Sequence, residues 1–305
     1  MKRNDKLKAG KFDVDAALVG TLIARQLPQW AHLPVTPVEQ DGWDNWTFRL
    51  GDRLKVRLPS DHGYAEQTEK EARWLPLLAP HLPVAIPVPL AVGAPDAGYP
   101  WHWSVYEWLD GTPADSASVP NRTALARDVA GFLASLQRID TAGGPPPGTH
   151  NFFRGASVTA IYGEEARRSV DALKGSIDTQ AAHAVLDAAE AAAWSGPERW
   201  VHGDIAIGNL LIRDGRLSAV IDFGCSATGD PACDLVIAWL FFSGASRAAF
   251  RDGLPADAGM WARARGWAMW KAALVLASGS PTNPEENPPA EVIAAVIAEH
   301  QATRA

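Results

Sequence analysis

Three oxygen-bearing side chains stand close together in one apolar stretch, Trp200 to Leu235, which reads WVHGDIAIGNLLIRDGRLSAVIDFGCSATGDPACDL. Asp204 comes first, Asn209 follows five positions later, and Asp222 lies 18 positions after Asp204. Asn209 and Asp222 are hard oxygen donors of the kind Mg²⁺ takes, a cation that uses few protein ligands and completes its shell with phosphate oxygens. Asp204 stands apart from that pair and can accept a proton from a hydroxyl. A metal that neutralises phosphate charge and a carboxylate that orients the nucleophile are the parts phosphoryl transfer needs.

A hairpin would bring these groups together. Leu210-Leu211-Ile212 and Leu217 to Ile221 are short apolar runs, and Arg213-Asp214-Gly215-Arg216 between them carries an Asp-Gly turn signal. Pairing the runs sets the loop of Asp204 and Asn209 beside the turn of Asp222. Further upstream, Arg53-Leu54-Lys55-Val56-Arg57-Leu58 alternates strictly. Leu54, Val56 and Leu58 share one strand face, and Arg53, Lys55 and Arg57 share the other. A cationic face suits nucleotide phosphates, although a solvated edge strand would look the same.

Length and composition bound the alternatives. The 305 residues are enough for two lobes, 47% are hydrophobic, and the net charge is −7. The acidic balance argues against nucleic acid as a partner. The N-terminal MKRNDKLKAGKF lacks the apolar core of a signal peptide. No run reaches the roughly 18 apolar residues of a membrane helix, so a cytoplasmic protein without a membrane partner is expected. Cys225 and Cys233 have no zinc-site spacing and read as reduced thiols.

His202-Gly203-Asp204, Asn209 and Asp222-Phe223-Gly224 resemble the catalytic and metal loops of the protein-kinase-like fold. With Gly203 in place of the usual arginine, and Gly229-Asp230-Pro231-Ala232-Cys233-Asp234-Leu235 following, the stretch is similar to the aminoglycoside phosphotransferase family, which includes macrolide kinases. Only 12 positions separate Asp222 from Asp234, too few for the activation segment of a protein kinase.

The resemblance implies an α+β fold of two lobes, a small antiparallel-sheet N-lobe over residues 1–106 and a mostly helical C-lobe over 107–305. It implies ATP (or GTP) with Mg²⁺, and a small-molecule hydroxyl as acceptor. The acceptor class it favours is an antibiotic, an aminoglycoside or a macrolide. Alternatives are a metabolic kinase for an amino alcohol, sugar or amino acid hydroxyl, and a non-catalytic nucleotide-binding pseudokinase.

Residue by residue, the resemblance implies Asp204 as the catalytic base and Asn209 and Asp222 as the metal ligands. Gly42 to Trp46, with Gly42 and Asn45, matches the loop over the phosphates, and an ordinary hairpin turn is the alternative. Arg57 matches the phosphate-binding cation, with Lys55 as runner-up. Glu71 matches the helix glutamate that braces it, with Glu69 nearby. Glu107, Trp108 and Leu109 match the hinge, where backbone groups hold the base. His202 fixes the catalytic loop, and Asp234 accepts backbone amides of that loop or caps the helix that follows it.

The elements expected around these residues are a helix over 13–27 capped by Asp13, three strands between Val35 and Ser60, and a helix over 64–78 with its last turn distorted by Pro76. β runs are expected at Val84-Ile86, Leu90-Val92 and 103–108. Helices are expected over 121–136, within 164–194, and over 235–242, 260–276 and 290–300. Trp261, Trp267 and Trp270 could wall an apolar pocket or simply pack the core. Asp257, Glu285 and Glu286 could meet a cationic sugar or stay solvated.

Overall fold

The computed structural model describes residues 3–39, 41–115 and 117–303. Two compact units emerge: one runs to Pro80 and resumes over Ala85–Asp110, and the other holds His81–Val84 and everything from Gly111. The division falls four residues after 106/107. Glu107 still pairs with Leu54 in a strand ladder, and the Trp108 N–H donates to the Arg53 carbonyl at 2.8 Å.

The first unit contains α1 (Arg3–Lys8), α2 (Ala16–Gln26), β1 (Val35–Pro37), β2 (Asn45–Leu50), β3 (Leu54–Pro59), α3 (Ala65–Leu78), β4 (Pro89–Gly93) and β5 (Trp103–Glu107). The sheet order is β1-β2-β3-β5-β4, every pair antiparallel. The alternation of β3 decides its faces. Val56 and Leu58 are fully buried with Trp46, Phe48, Leu50, Val105 and the α2 residues Val19, Leu22 and Ile23, while Leu54 is half-buried.

Three local expectations need correcting here. Asp15, not Asp13, caps α2, its carboxylate accepting from the Leu18 N–H at 2.8 Å. Val84-Ile86 is no strand: Pro83 and Pro87 flank it and cannot donate to a ladder; the run expected at Leu90-Val92 does form, as β4. Pro76 sits inside α3 and the helix still runs to Leu78; a proline this near the end removes only one hydrogen bond of the ladder.

The second unit holds β6 (Thr112–Pro113), α4 (Arg122–Leu136), α5 (Val158–Ala172), α6 (Thr179–Ala191), β7 (Arg199–Val201), β8 (Leu210–Arg213), β9 (Arg216–Val220), β10 (Ala227–Gly229), α7 (Ile237–Leu240), α8 (Gly244–Asp252), α9 (Ala258–Ser278) and α10 (Pro289–Ala302). The α4 stripe of Leu125, Val129, Phe132, Leu133 and Leu136 is fully buried. β8 and β9 form the expected hairpin, with Arg213 opposite Arg216. Asp214 and Gly215 both have positive φ, 53° and 73°. That is the type I′ turn whose twist matches the strands it joins. The expected helix over 235–242 is broken in two: a tight 3₁₀ stretch spans Pro231–Val236 and α7 covers four residues after it. Pro231 starts that stretch and Asp230 caps it, accepting from the Ala232 N–H at 3.1 Å.

α9 is the central helix of this unit, packed against α5, α6, α10 and the Pro231–Val236 stretch. Asp257 caps it through the Met260 N–H at 2.7 Å. Arg263, buried on α9, grips Asp230 with two hydrogen bonds of 2.7 and 3.1 Å. Burial pushes the Asp230 carboxyl up while Arg263 pulls it down. Asp230→Ala leaves a buried guanidinium without its carboxylate and is expected to cost about 3–5 kcal/mol. Urea unfolding measures this, and loss of the pair in the double variant Asp230→Ala/Arg263→Met is expected to cost less than the single change.

Candidate active site

In the second unit the β8–β9 hairpin has Asn209 at its entry and Asp222 shortly after its exit. Asn209 ends a 3₁₀ turn immediately before β8. Its Nδ2 donates to the Asp204 carbonyl at 2.9 Å and to Asp204 Oδ2 at 3.0 Å. Its own carbonyl accepts from the Ile221 N–H at 2.9 Å, which fixes the end of β9 and the Asp222 backbone beside it. The amide nitrogen of Asn209 is thus committed to Asp204, and its Oδ1 remains as the group for a cation. Asp222 follows in the left-handed region, φ 69° and ψ 67°, a conformation that aspartate and asparagine tolerate better than most residues.

His202 and Asp234 tie the loop from behind. Nε2 of His202 lies 3.0 Å from the Ile221 carbonyl, and its Nδ1 accepts from the Asp204 N–H at 3.2 Å. This pattern places the ring proton on Nε2 of a neutral imidazole. The Asp234 carboxylate accepts from the His202 N–H at 2.8 Å and the Gly203 N–H at 2.7 Å. Burial pushes the Asp234 carboxyl up, against the pull of those amide bonds. The cap before Leu235 is Asp230, so Asp234 is left to the amides.

Gly203 cannot be replaced cheaply. Its φ is +84°, and a Cβ there would lie 2.4 Å from the Cys225 carbonyl oxygen and 2.9 Å from Cβ of Arg154. Gly203→Ala combines left-handed strain of roughly 1–2 kcal/mol with a backbone clash. We expect a drop in thermal midpoint of several degrees or more together with loss of the Asp204 loop geometry, read by calorimetry.

Asp204 lines a cavity together with Arg154, Leu240, Trp267, Trp270 and Lys271. Arg154 was not legible in the sequence. It leaves an irregular loop, donates from Nε to the Gly203 carbonyl at 3.1 Å, and lies over the rings of Trp267 and Trp270 at 4.9 and 5.2 Å. Trp270 stacks on Tyr162 at 4.3 Å and donates to Glu165 at 2.7 Å. Trp261 does not reach Asp204's cavity; it lines another with Arg251 and Arg265. Cys233 is buried beside Asp234, and burial pushes its thiol up; neither it nor Cys225 is in a disulfide.

The first unit carries the remaining candidates. Arg57 on β3 approaches Glu71 on α3 at 3.6 Å, with both side chains largely buried. The Tyr106 hydroxyl donates to Glu71 at 2.6 Å, a partner the sequence did not announce. Glu69 instead meets His102 at 2.8 Å. Two positions along α3 turn the side chain to another face, which decides between the two glutamates. Lys55 lies over the Tyr106 ring, 5.7 Å from its centre. Asn45 opens β2 and its carbonyl accepts from the buried Lys6 ammonium at 2.7 Å. Gly42 precedes that strand with open space where a Cβ would stand. Glu107 ends β5, and Trp108, with Leu109 after it, packs under the Arg49 guanidinium at 3.5 Å.

Among the described residues no group of three or more His, Cys, Asp or Glu could hold a metal, and no helix is long and apolar enough to cross a membrane. One carboxylate and one amide oxygen fit a cation that completes its shell on substrate phosphates.

Comparison with known proteins bears on the fold and the family. The chain superposes on the GDP and kanamycin complex of APH(2")-IIia with a TM-score of 0.64 at 18% identity, covering 94% of this chain and 99% of that one. The streptomycin-ATP-APH(2")-IIa ternary complex gives 0.60 at 17%, with 95% and 97% covered. Macrolide 2'-phosphotransferase MphH from Brachybacterium faecium gives 0.58 at 24%, with 93% and 98% covered. These likenesses show a kinase-like α+β fold, a small antiparallel sheet followed by a helical region. No curated protein matches the chain significantly. The family model described as "Phosphotransferase enzyme family" matches residues 35–267, a span that takes in the β3 cation, the hairpin and all three oxygen side chains, so the chain belongs to the phosphotransferase enzyme family.

Proposed function

We propose that this phosphotransferase moves the terminal phosphoryl group of a magnesium nucleotide, ATP or GTP, to a hydroxyl of an antibiotic of the aminoglycoside or macrolide class. The observation that supports the reading is the hydrogen bond of Asn209 to Asp204 at 3.0 Å, with Ile221, the residue before Asp222, bonded to the Asn209 carbonyl at 2.9 Å. Solved relatives in this fold are complexes with GDP, ATP, kanamycin and streptomycin, which supports a nucleotide and a hydroxyl-bearing antibiotic as the pair.

Asp204 Oδ accepts the acceptor's hydroxyl proton. The acceptor oxygen forms its bond to the terminal phosphorus as the bond to the bridging oxygen breaks, and the nucleoside diphosphate leaves. Asn209 and Asp222 would hold Mg²⁺, which neutralises phosphate charge when bound. Arg57, braced by Glu71, contacts the α- and β-phosphates, and Lys55 adds charge on the same strand face. The loop from Gly42 to Asn45 covers the phosphates with its amides, and the backbone of Glu107, Trp108 and Leu109 holds the base. His202 and Asp234 keep the Asp204 loop in place. An assay of phosphate transfer with ATP and with GTP, over aminoglycosides and macrolides and with and without Mg²⁺, tests the reading. Transfer to none of them, or transfer that survives chelation of Mg²⁺, would overturn it.

A further inference from the structure

The cavity at Asp204 adjoins a second one. Leu240 and Lys271 line both. The second holds about 120 Å³ and is otherwise walled by Val275 of α9, by Pro281 and Asn283, and by Glu286. Lys271 therefore stands at the junction, half-buried on α9. Among the described residues its ammonium has no hydrogen bond or ion pair. Glu286 is in the same condition. Its backbone N–H is bonded to the Asn283 carbonyl at 3.0 Å, but its half-buried carboxylate has no hydrogen-bonding partner.

The two groups feel each other and the Asp204 carboxylate. Burial pushes the Glu286 carboxyl up, Lys271 pulls it down, and Asp204 pushes it up again. Other charges near the pocket are already committed. Glu165 accepts from Trp270, and Arg154 holds the Gly203 carbonyl. What remains for a ligand is Asp204, which takes the hydroxyl proton in the proposed reaction, the Glu286 carboxylate, the Lys271 ammonium, and an apolar wall of Leu240, Val275 and Pro281.

We propose that Lys271 and Glu286 select the acceptor by charge, so that the site takes a hydroxyl compound with an apolar body and a single positive group and turns a polycation away. This rests on the phosphotransferase reading of Asp204. One cationic group answers Glu286, which burial pushes toward its neutral form and which Lys271 and the incoming cation together favour as the charged form. A second or third cationic group meets Lys271 in a partly dry pocket, where like charges are screened poorly. Rejection by an unpaired like charge is how a site discriminates against a competitor it would otherwise fit.

The test uses kanamycin as the polycation and a macrolide with one tertiary amine as the monocation. Binding is followed by calorimetry and transfer by kcat/KM, on the wild-type protein and on Lys271→Glu, Lys271→Gln and Glu286→Gln. The wild type is expected to bind the macrolide at least roughly tenfold more tightly than kanamycin. Lys271→Glu should improve kanamycin binding by roughly tenfold or more, and Lys271→Gln by less, because one removes and reverses the repulsion and the other only removes it. Glu286→Gln should weaken the macrolide, and kanamycin as well, because each offers a cationic group to that carboxylate. If the wild type prefers kanamycin, or if neither Lys271 variant moves the ratio, the inference is overturned. If the binding ratios move as expected but no acceptor is phosphorylated, the charge filter stands and the phosphotransfer reading is what fails.

Discussion

Asp204→Ala lowers the rate of phosphate transfer at saturating substrates by roughly 10²–10⁴, the usual contribution of a positioned proton acceptor. Nucleotide affinity should stay within about threefold, because the role assigned to Asp204 is at the acceptor's hydroxyl. The structure makes this a clean variant. The Asp204 backbone is held by the His202 ring and by the Asn209 amide, and neither bond needs the carboxylate. Only the Asn209 contact to Oδ2 is lost. Asp204→Asn, which keeps the shape and removes the proton acceptor, should fall in the same range. A variant that turns over within tenfold of wild type takes Asp204 out of the reaction.

Asp222→Asn should weaken magnesium-dependent nucleotide binding by two orders of magnitude or more, since removing a direct ligand exceeds the roughly 10–100-fold typical of losing an outer-shell partner. Asparagine suits the experiment. Asp222 sits at φ 69°, and asparagine shares aspartate's tolerance of left-handed backbone. The fold is therefore expected to survive, with a thermal midpoint within a few degrees of wild type. Titration of nucleotide at fixed Mg²⁺ and in its absence separates the outcomes. Unchanged affinity with the metal present removes Asp222 from the proposed site. A loss of equal size with and without metal would mean that the carboxylate acts on the nucleotide by another route.

Much of the catalytic stretch was legible because its geometry is local. An Asp-Gly pair between two apolar runs specifies a type I′ hairpin, and the hairpin alone sets the end of β9 against Asn209. The alternation of Leu54, Val56 and Leu58 likewise fixed which side of β3 carries Arg57 and Lys55. The misreadings were local too: prolines around Val84-Ile86 and at Pro231 displaced a strand and broke a helix, and at one helix start two residues competed for the cap. Asp13 and Asp15 both precede α2, and the cap went to the one three positions before a helical N–H. Asp230 and Asp234 both precede α7, and there the expectation that Asp234 accepts the loop amides holds. Asp230 capped the 3₁₀ stretch while Asp234 was buried under His202 and Gly203.

By itself, then, the sequence determined the hairpin, the spacing of the three oxygen side chains and the cationic face of β3, because each depends on residues a few positions apart and on the two-residue period of a strand. Only the tertiary structure decided that Glu71 rather than Glu69 meets Arg57, that Arg154 crosses to the Gly203 carbonyl, and that Lys271 and Glu286 share a pocket. Those contacts join residues from 14 to 49 positions apart across irregular chain and packed helices. Their partners are chosen by how whole elements pack, and no short-range pattern records that choice.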